Sequence, residues 1–355
     1  MSRGARTFSV GKRSVGGGAP VLVVAEVGVN HNGDLALARR LVDAAVETDA
    51  DAVKFQTFDS RRLVTADAPK AGYQRETTGA GESQRQMLAR LELTTAQLAE
   101  MRDYCAACGI PFFSTPFDEA SADELERLHV TVFKIPSGEI TNLPFLRHVA
   151  SKGKPVILST GMSTLDEVAD AVAAIRAAGD PPLALLHCVS AYPAPPAEMN
   201  LRAMDTLRAA YGCPVGLSDH TLGSEVAIAA VARGAEIVEK HLTLDRRLPG
   251  PDHRASMEPV ELAAMIRAIR TVESALGDGL KRPMPSETDA RRVARKSLVA
   301  ARAIRTGERL TVDHVVIKRP GTGIPPVDLP RIVGRRALRD IAPDELLDWA
   351  EFGES

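Results

Sequence analysis

Eight short apolar runs in this chain each end on groups that could do chemistry. In order, the ends carry Glu26; Lys54 with Gln56; Thr115; Lys134 with Ser137 and Glu139; Ser159 with Thr160; His187; Ser218, Asp219 and His220; and Glu239 with His241. Lys54 and Lys134 follow apolar residues inside their runs. An ammonium in such a place must meet a ligand, an acid or water, because burying it unpaired is costly. The two lysines suit an electrostatic clamp on phosphate or carboxylate, or one of them a Schiff base. The plainer alternative is an ion pair with Glu26 or Glu239. The hydroxyls of Thr115, Ser137, Ser159, Thr160 and Ser218 suit the oxygens of an anion. His220 and His241 close consecutive runs, so two imidazoles could hold one divalent metal with positions left open for substrate oxygens. They could equally be two hydrogen-bonded histidines. His187 is a candidate third ligand or a donor. Asp252, in Pro249–His253, would lie over the same group or serve as a turn residue before a helix at Pro259. In the tail, residues 318–323 (KRPGTG) read as a rigid turn. It presents Arg319, a guanidinium suited to carboxylate or carbonyl recognition.

The elements that must position these groups follow a regular pattern from residue 20 to about 275. Candidate strands are Val21–Glu26, Ala52–Gln56, Pro111–Thr115, Thr131–Pro136, Pro155–Thr160, Leu183–Val189, Pro214–Asp219 and Glu236–Leu242. The runs are nearly continuous in apolar residues, as strands buried on both faces of a parallel sheet are. Helical periods lie between them. Leu35–Glu47 is capped by Asp34, and Thr94–Cys108 and Thr164–Ala178 end at Gly109 and Gly179. Eight strand–helix units predict an α/β fold, a (β/α)8 TIM barrel, whose active sites lie at the C-terminal strand ends. An open doubly wound sheet is second, since no G-x-G-x-x-G follows the first strand.

Three regions break the repeat. Residues 7–18 read as a hairpin with a Gly turn, a candidate plug under the barrel. Residues 59–82 read as a long polar loop and a candidate lid. Residues 279–296 read as a Pro- and charge-rich linker. The expected organisation is a barrel domain over 1–278, the linker, and a small β-rich domain over 297–355.

Apolar residues are 45% and charged residues 25%, an ordinary globular balance. The net charge of −2 argues against a nucleic-acid or polybasic membrane binder. Residues 291–355 hold 13 basic and 9 acidic residues, a net +4, which leaves −6 for the rest. The longest apolar stretch is too short to span a bilayer. Arg3 and Arg6 precede no apolar core, so a signal peptide is not expected. Four cysteines, with one C-x-x-C at Cys105 and Cys108, read as reduced thiols on a helix end. A cytoplasmic location is expected.

The motifs AEVGVNHNGDL (25–35), VKFQTF (53–58), FFSTPFD (112–118), FKIPSGEITN (133–142), ILSTGMST (157–164), LLHCVSAYPAP (185–195), GLSDHT (216–221), EKHLTLD (239–245) and GPDHRASMEP (250–259) follow one another in order. Through them the chain resembles the sialic acid synthases, of the N-acetylneuraminate synthase type. RKSLVAARAI and KRPGTGI in the tail resemble that family's C-terminal antifreeze-like (SAF) domain. The resemblance implies condensation of phosphoenolpyruvate with an N-acyl hexosamine, N-acetylmannosamine first, to a nine-carbon 2-keto sugar acid and phosphate. Legionaminate, pseudaminate and spore-coat sugar synthases share nearly the same motifs. It implies a divalent metal, Mn2+ or Mg2+, on His220 and His241, the two histidines then counting as catalytic. It places phosphoenolpyruvate on Lys54, Thr115, Lys134, Ser137, Ser159 and Ser218, and the sugar on Gln56, Tyr192 and Asp252. Glu26 and Glu139 would be catalytic groups that position water and substrate. It also implies a homodimer in which the SAF domain crosses to the partner, so that Arg319 meets the N-acyl group there. Thr322 and Ser190 stand where many or some members carry Asn, both near the implied sugar site.

Overall fold

The computed structural model describes residues 7–353; Arg3 and Arg6 lie outside them. The chain divides into two units, Met1–Gly277 and Asp278–Ser355. In the first, a hairpin of β1 (Phe8–Val10) and β2 (Arg13–Val15) precedes eight strands. These are β3 (Leu22–Glu26), β4 (Ala52–Thr57), β5 (Phe112–Pro116), β6 (Phe133–Ile135), β7 (Val156–Ser159), β8 (Leu183–Cys188), β9 (Val215–Asp219) and β10 (Ile237–His241). They pair in parallel, in chain order, and β10 closes on β3. The fold is the (β/α)8 barrel that the alternation predicts.

Side chains alternate across a strand with period two, and here that period divides the core. Val23, Val53, Phe55, Leu185, Leu217 and Val238 face the helices. Leu22, Val24, Ala52, Phe113, Ile157 and Leu186 fill the barrel interior. Phe8, Val10 and Val15 join the interior cluster, so the hairpin does plug the barrel at the N-terminal end of its strands. Its turn is at Gly11, whose φ of 58° suits glycine. One step of two residues beyond the interior layer brings each strand to its mouth.

The helices begin where side chains can cap them. Asp34 accepts from Ala36 N and Leu37 N at the start of Leu35–Glu47, a contact worth about 1 kcal/mol. Thr94 and Thr164 form capping boxes with Gln97 and Glu167. Gly109 takes the left-handed conformation expected after a helix, φ 76°. Gly179 does not. The left-handed residue is Asp180, φ 47°, and Gly179 is small because a Cβ would come 2.8 Å from Ala150 O.

One expectation needs correction. Residues 59–82 are not an extended loop. Helices Ser60–Leu63 and Gly72–Thr78 lie within them, and Gln84–Ala89 follows. Lys70 organises this segment from within: its buried ammonium donates to Thr78 Oγ1, Gly79 O and Glu82 Oε1 at 2.8–3.0 Å. Residues 279–296, read as a linker, contain a 3-10 turn, Pro285–Glu287, and a helix, Thr288–Ala294. In the second unit, β11 (Ser297–Ala300) and β12 (Val315–Lys318) pair antiparallel. Isolated bridges such as Ile304 with Ile341 and Ala337 with Phe352 close it around a core of Leu298, Leu310, Ile324, Ile332 and Leu347.

Among the described residues, no helix is long and apolar enough to cross a membrane. The four cysteines are free thiols, Cys105 buried and Cys108 half-buried.

Candidate active site

The period-two alternation sends one residue of each strand inward at the mouth. These are Glu26, Lys54, Thr115, Lys134, Ser159, Cys188, Ser218 and Glu239. All eight are buried, and each follows an interior-layer position by two residues. Together they make a ring of charged and hydroxyl groups where a barrel of this kind opens.

The ring is internally paired. Lys54 Nζ lies 2.6 Å from Glu26 Oε2, an ion contact without hydrogen-bond geometry, and 3.3 Å from Glu239 Oε2. It donates to Thr115 Oγ1 at 3.0 Å. Lys134 donates to Ser159 Oγ at 2.8 Å and lies 3.4 Å from Glu239 Oε1. Ser218 donates to Glu239 at 3.0 Å. Burial pulls Lys54 down to about 7, against the opposing attraction of Glu239. Burial would raise Glu239, but the Lys134 and Lys54 ammoniums and the Ser218 hydroxyl hold it below the usual carboxylate range. The ion-pair alternative for the lysines is therefore realised, and it is compatible with a clamp. Two ammoniums share a site with two carboxylates and retain hydroxyl neighbours aimed at the same space.

Above the ring lies a cavity of about 450 Å³. Its floor includes Lys54, Thr115, Lys134, Ser159, Ser218 and Glu239. Ser137 reaches it from a 3-10 turn after β6 and accepts from Gly161 N at 2.9 Å. Glu139 ends that turn, accepts from Asn142 at 2.7 Å and is raised by burial. One wall is apolar: Phe58, Met87, Leu88 and Leu91, with Val29, form a cluster that borders the cavity.

An aromatic stack crosses the cavity. Tyr73 lies 5.0 Å from Tyr192, and Tyr192 lies 4.1 Å from His220, centroid to centroid. His220 and His241 are 5.5 Å apart. His220 Nδ1 is 2.9 Å from Val189 O, which makes Nδ1 a donor, so Nε2 is the nitrogen whose lone pair the neutral ring would offer a ligand. Burial pulls His220 down, but Cys188, 3.8 Å away, and the Val189 carbonyl outweigh it and raise it. Burial, with the His220 charge next, holds His241 well below its ordinary value. His241 Nδ1 is buried without a hydrogen bond, 4.0 Å from Asp252 Oδ2, and Asp252 Oδ1 is equally unpartnered. Burial pushes Asp252 up to about 6. A neutral imidazole, an imidazole lone pair and an orphaned carboxyl oxygen are the donor set a divalent cation accepts. No group of three or more His, Cys, Asp or Glu side chains close enough to hold a metal by themselves occurs among the described residues, so a cation here would rest on the two imidazoles and on substrate or water oxygens.

Of the residues singled out in the sequence, Gln56, Lys54, Thr115, Lys134, Ser137, Glu139, Ser159, Tyr192, Ser218, His220, His241 and Asp252 line this one cavity. Glu26 does not. It is fully buried behind Lys54 and Gln56, whose amide donates to it at 3.3 Å, so it is not placed to touch a substrate. His187 turns outward by the strand period and meets Met199 O at 2.6 Å, which removes it as a third ligand. Thr160 also turns away, donating to Leu186 O. Arg319 is exposed in the second unit. Cys188, Tyr73 and Gln74 line the cavity without having been singled out. Cys188 was findable, since it lies two residues beyond Leu186 on its own strand, as Ser159 lies two beyond Ile157. Tyr73 carried a weaker signal: it is one of only four tyrosines and sits in a polar stretch.

The fold and ring define a class: a barrel enzyme whose mouth is lined by paired lysines and carboxylates with hydroxyl neighbours. The particular family follows from comparison with known proteins. The NeuB family profile matches residues 41–281, and the SAF domain profile matches residues 295–353. The chain is 45% identical over 328 residues to an N,N'-diacetyllegionaminic acid synthase of Campylobacter jejuni, covering 92% of this chain and 98% of that one. It is 35% identical over 337 residues to the human N-acetylneuraminate-9-phosphate synthase, covering 94% and 93%. The crystal structure of N-acetylneuraminic acid (sialic acid) synthetase from Leptospira borgpetersenii, in complex with citrate, is 36% identical. It aligns with a TM-score of 0.71, over 81% of this chain and 95% of that one. The chain belongs to the NeuB family of sialic acid-type synthases and carries a SAF domain.

Proposed function

We propose that the protein condenses phosphoenolpyruvate with an N-acylated amino-hexose and water, giving a nine-carbon 2-keto sugar acid and phosphate. The observation that carries this reading is the ring. Two ammoniums and three hydroxyls of the ring, with Ser137 beside them, face one cavity at the base of which no apolar substrate would be satisfied. Lys54, Lys134, Thr115, Ser137, Ser159 and Ser218 hold the phosphate and carboxylate of phosphoenolpyruvate. The enol carbon attacks the aldehyde carbon of the sugar. Positive charge develops at the carbon bearing the phosphate, and water adds there. Glu139, raised by burial, takes the proton from that water. The tetrahedral centre then loses phosphate with cleavage of the C–O bond. Glu26 acts through Lys54, as a positioning residue for its charge.

His220 and His241 would hold the divalent cation, Mn2+ or Mg2+, with Asp252 beside them. When bound it would supply Lewis-acid polarisation of the aldehyde oxygen. Tyr192 and Gln56 orient the sugar. The SAF unit serves the site of a partner chain in a homodimer, with Arg319 on the N-acyl carbonyl.

For the acceptor, two observations support a different order from the one the motifs imply. N-Acetylmannosamine came first there. The apolar wall of Phe58, Met87, Leu88 and Leu91 suits a sugar with a deoxy carbon and a second acyl methyl better than one hydroxylated throughout, whose buried hydroxyls would lack partners. The 45% likeness to a diacetyllegionaminic acid synthase points the same way. We therefore place a 6-deoxy diacetamido hexose ahead of N-acetylmannosamine.

The test is phosphate release from phosphoenolpyruvate with Mn2+, across a panel of both sugar types. Release that prefers the 6-deoxy diacetamido sugar is expected. Preference for N-acetylmannosamine would keep the chemistry and overturn the acceptor. A Schiff-base aldolase is the second reading, favoured by the low Lys54 value. Glu26 at 2.6 Å argues for an ammonium. Borohydride trapping of pyruvate on Lys54, with no phosphate release from any sugar, would replace the first reading by the second.

A further inference from the structure

The inner faces of β9 and β10 carry Ser218, His220, Glu239 and His241. Their outer faces carry a second polar group that this chemistry does not use. Asp219 and Lys240 point away from the cavity, and both are 1% exposed. Lys240 Nζ donates to Asp219 Oδ2 at 2.8 Å and to Thr221 O at 2.6 Å. Asp219 Oδ1 accepts from Thr221 N at 2.9 Å and from Thr221 Oγ1 at 2.8 Å. Thr221 is wholly buried.

Two facts about this network call for an explanation. First, a buried ion pair contributes little net stability, since apolar residues of similar volume serve as well or better. A clamp kept here is more simply explained by what it fixes. Second, its members bracket the histidines. Asp219 and Thr221 flank His220 on both sides, and the bonds among them fix the backbone at residue 220. Lys240 sits between Glu239 and His241 and ties β10 to that same turn. One network thus sets where both imidazoles lie, from the side of the barrel wall opposite the cavity. The inner side holds His220 only at Nδ1, through Val189 O at 2.9 Å and the Cys188 thiol at 3.8 Å, while His241 Nδ1 has no hydrogen bond.

We infer that Asp219 and Lys240 are positioning residues that hold His220 and His241 at the spacing a divalent cation requires. This rests on the metal reading of the two histidines given above. Groups behind the ligands of a metal commonly account for a ten- to hundredfold effect on its affinity, by orienting the ligands rather than touching the ion.

The test separates metal affinity from anion affinity in the full-length protein. The double variant Asp219→Asn with Lys240→Met keeps the acceptor for Thr221, removes the tie to β10 and leaves no unpaired charge. Mn2+ affinity is read from the free-Mn2+ electron paramagnetic resonance signal. Phosphoenolpyruvate affinity is read by calorimetry without metal. The expected result is a ten- to hundredfold loss of Mn2+ affinity, with phosphoenolpyruvate affinity unchanged within twofold. Single Lys240→Met should lose Mn2+ affinity in the same direction. Unchanged Mn2+ affinity in the double variant would overturn the inference. So would parallel losses for Mn2+ and phosphoenolpyruvate, which mean a general structural role. His220→Ala is the control for the reading beneath. If it binds Mn2+ like the parent, the metal site itself is wrong. If it loses Mn2+ while the double variant does not, only the positioning role fails.

Discussion

At the scale of single residues, the site is a balance of charge before any substrate arrives. Glu239 is the hinge of that balance, 3.3 Å from Lys54 and 3.4 Å from Lys134. Glu239→Gln should leave Lys134 without a carboxylate partner, while Lys54 keeps Glu26. Breaking one partner from a buried pair costs about 3 kcal/mol or more, so the variant should melt well below the parent. An anion should then restore what the carboxylate supplied. Inorganic phosphate should raise the melting temperature of Glu239→Gln by more than it raises that of the parent. An equal or smaller shift would mean that the lysines do not act together on an anion. The roles of Lys54 and Lys134 were open in the sequence because an ammonium inside an apolar run demands a partner and does not say which. Glu26 shows the limit of that logic. The sequence offers it both as a group at the mouth and as an ion-pair partner of a lysine, and only its depth, 2.6 Å from Lys54, separates the two. Cys188 shows the opposite limit. It was passed over as a thiol, although counting by two along β8 puts it in the ring.

At the scale of elements, the eight strands were legible because both faces of each are buried, so their composition is almost free of polar interruptions. The structure moves their ends by a residue or two. The segment after β4 was not legible as structure because it has few apolar residues and no helical period. Its short helices are held by polar contacts instead, and these meet at Glu82. Arg90 and Lys70 both donate to it, Lys70 at 2.8 Å. The Arg90 guanidinium first and the Lys70 ammonium next hold the Glu82 carboxyl down to about 2. A depressed carboxylate contributes stability above its unfolded value, near 4.5, and loses it as pH falls through the folded value near 2. The group is near solvent, so the contribution is about 1 kcal/mol at most. Glu82→Gln should therefore speed proteolysis within residues 60–91 at pH 7. Its melting temperature should trail the parent's by a constant gap from pH 7 to pH 5, and the gap should narrow as pH falls from 4.5 toward 2. A gap that widened on acidification would place the stabilising charge elsewhere. Because Tyr73 rides on this segment and stacks on Tyr192, loosening it should also weaken the sugar more than phosphoenolpyruvate.

At the scale of the whole molecule, the barrel carries a ring of charged and hydroxyl groups, and the proposed function gives its second unit a part in that site. The charge imbalance, +4 in residues 291–355 against −6 elsewhere, is indifferent to whether a tail that serves a barrel shares its chain. Arg319 decides that. If it serves a partner's site, two disabled chains can complete one another. His220→Ala disables a barrel and keeps its tail; Arg319→Ala disables a tail and keeps its barrel. Each variant alone should be nearly inactive. In a trans arrangement, a mixed dimer joins the intact tail of the first chain to the intact barrel of the second and gains one working site. Random pairing of equal amounts makes half the dimers mixed, with one site of two restored, so activity should recover to roughly a quarter of the parent's. In a cis arrangement no pairing brings an intact tail to an intact barrel, and the mixture stays as inactive as its parts. The recovery should appear only after the chains are co-expressed or unfolded and refolded together, because exchange between formed dimers is needed to build the mixed species. Recovery on simple mixing of the diluted proteins would instead mean a loose, rapidly exchanging pair. No recovery under either condition, with both variants shown to be dimers, would remove Arg319 from the partner's site.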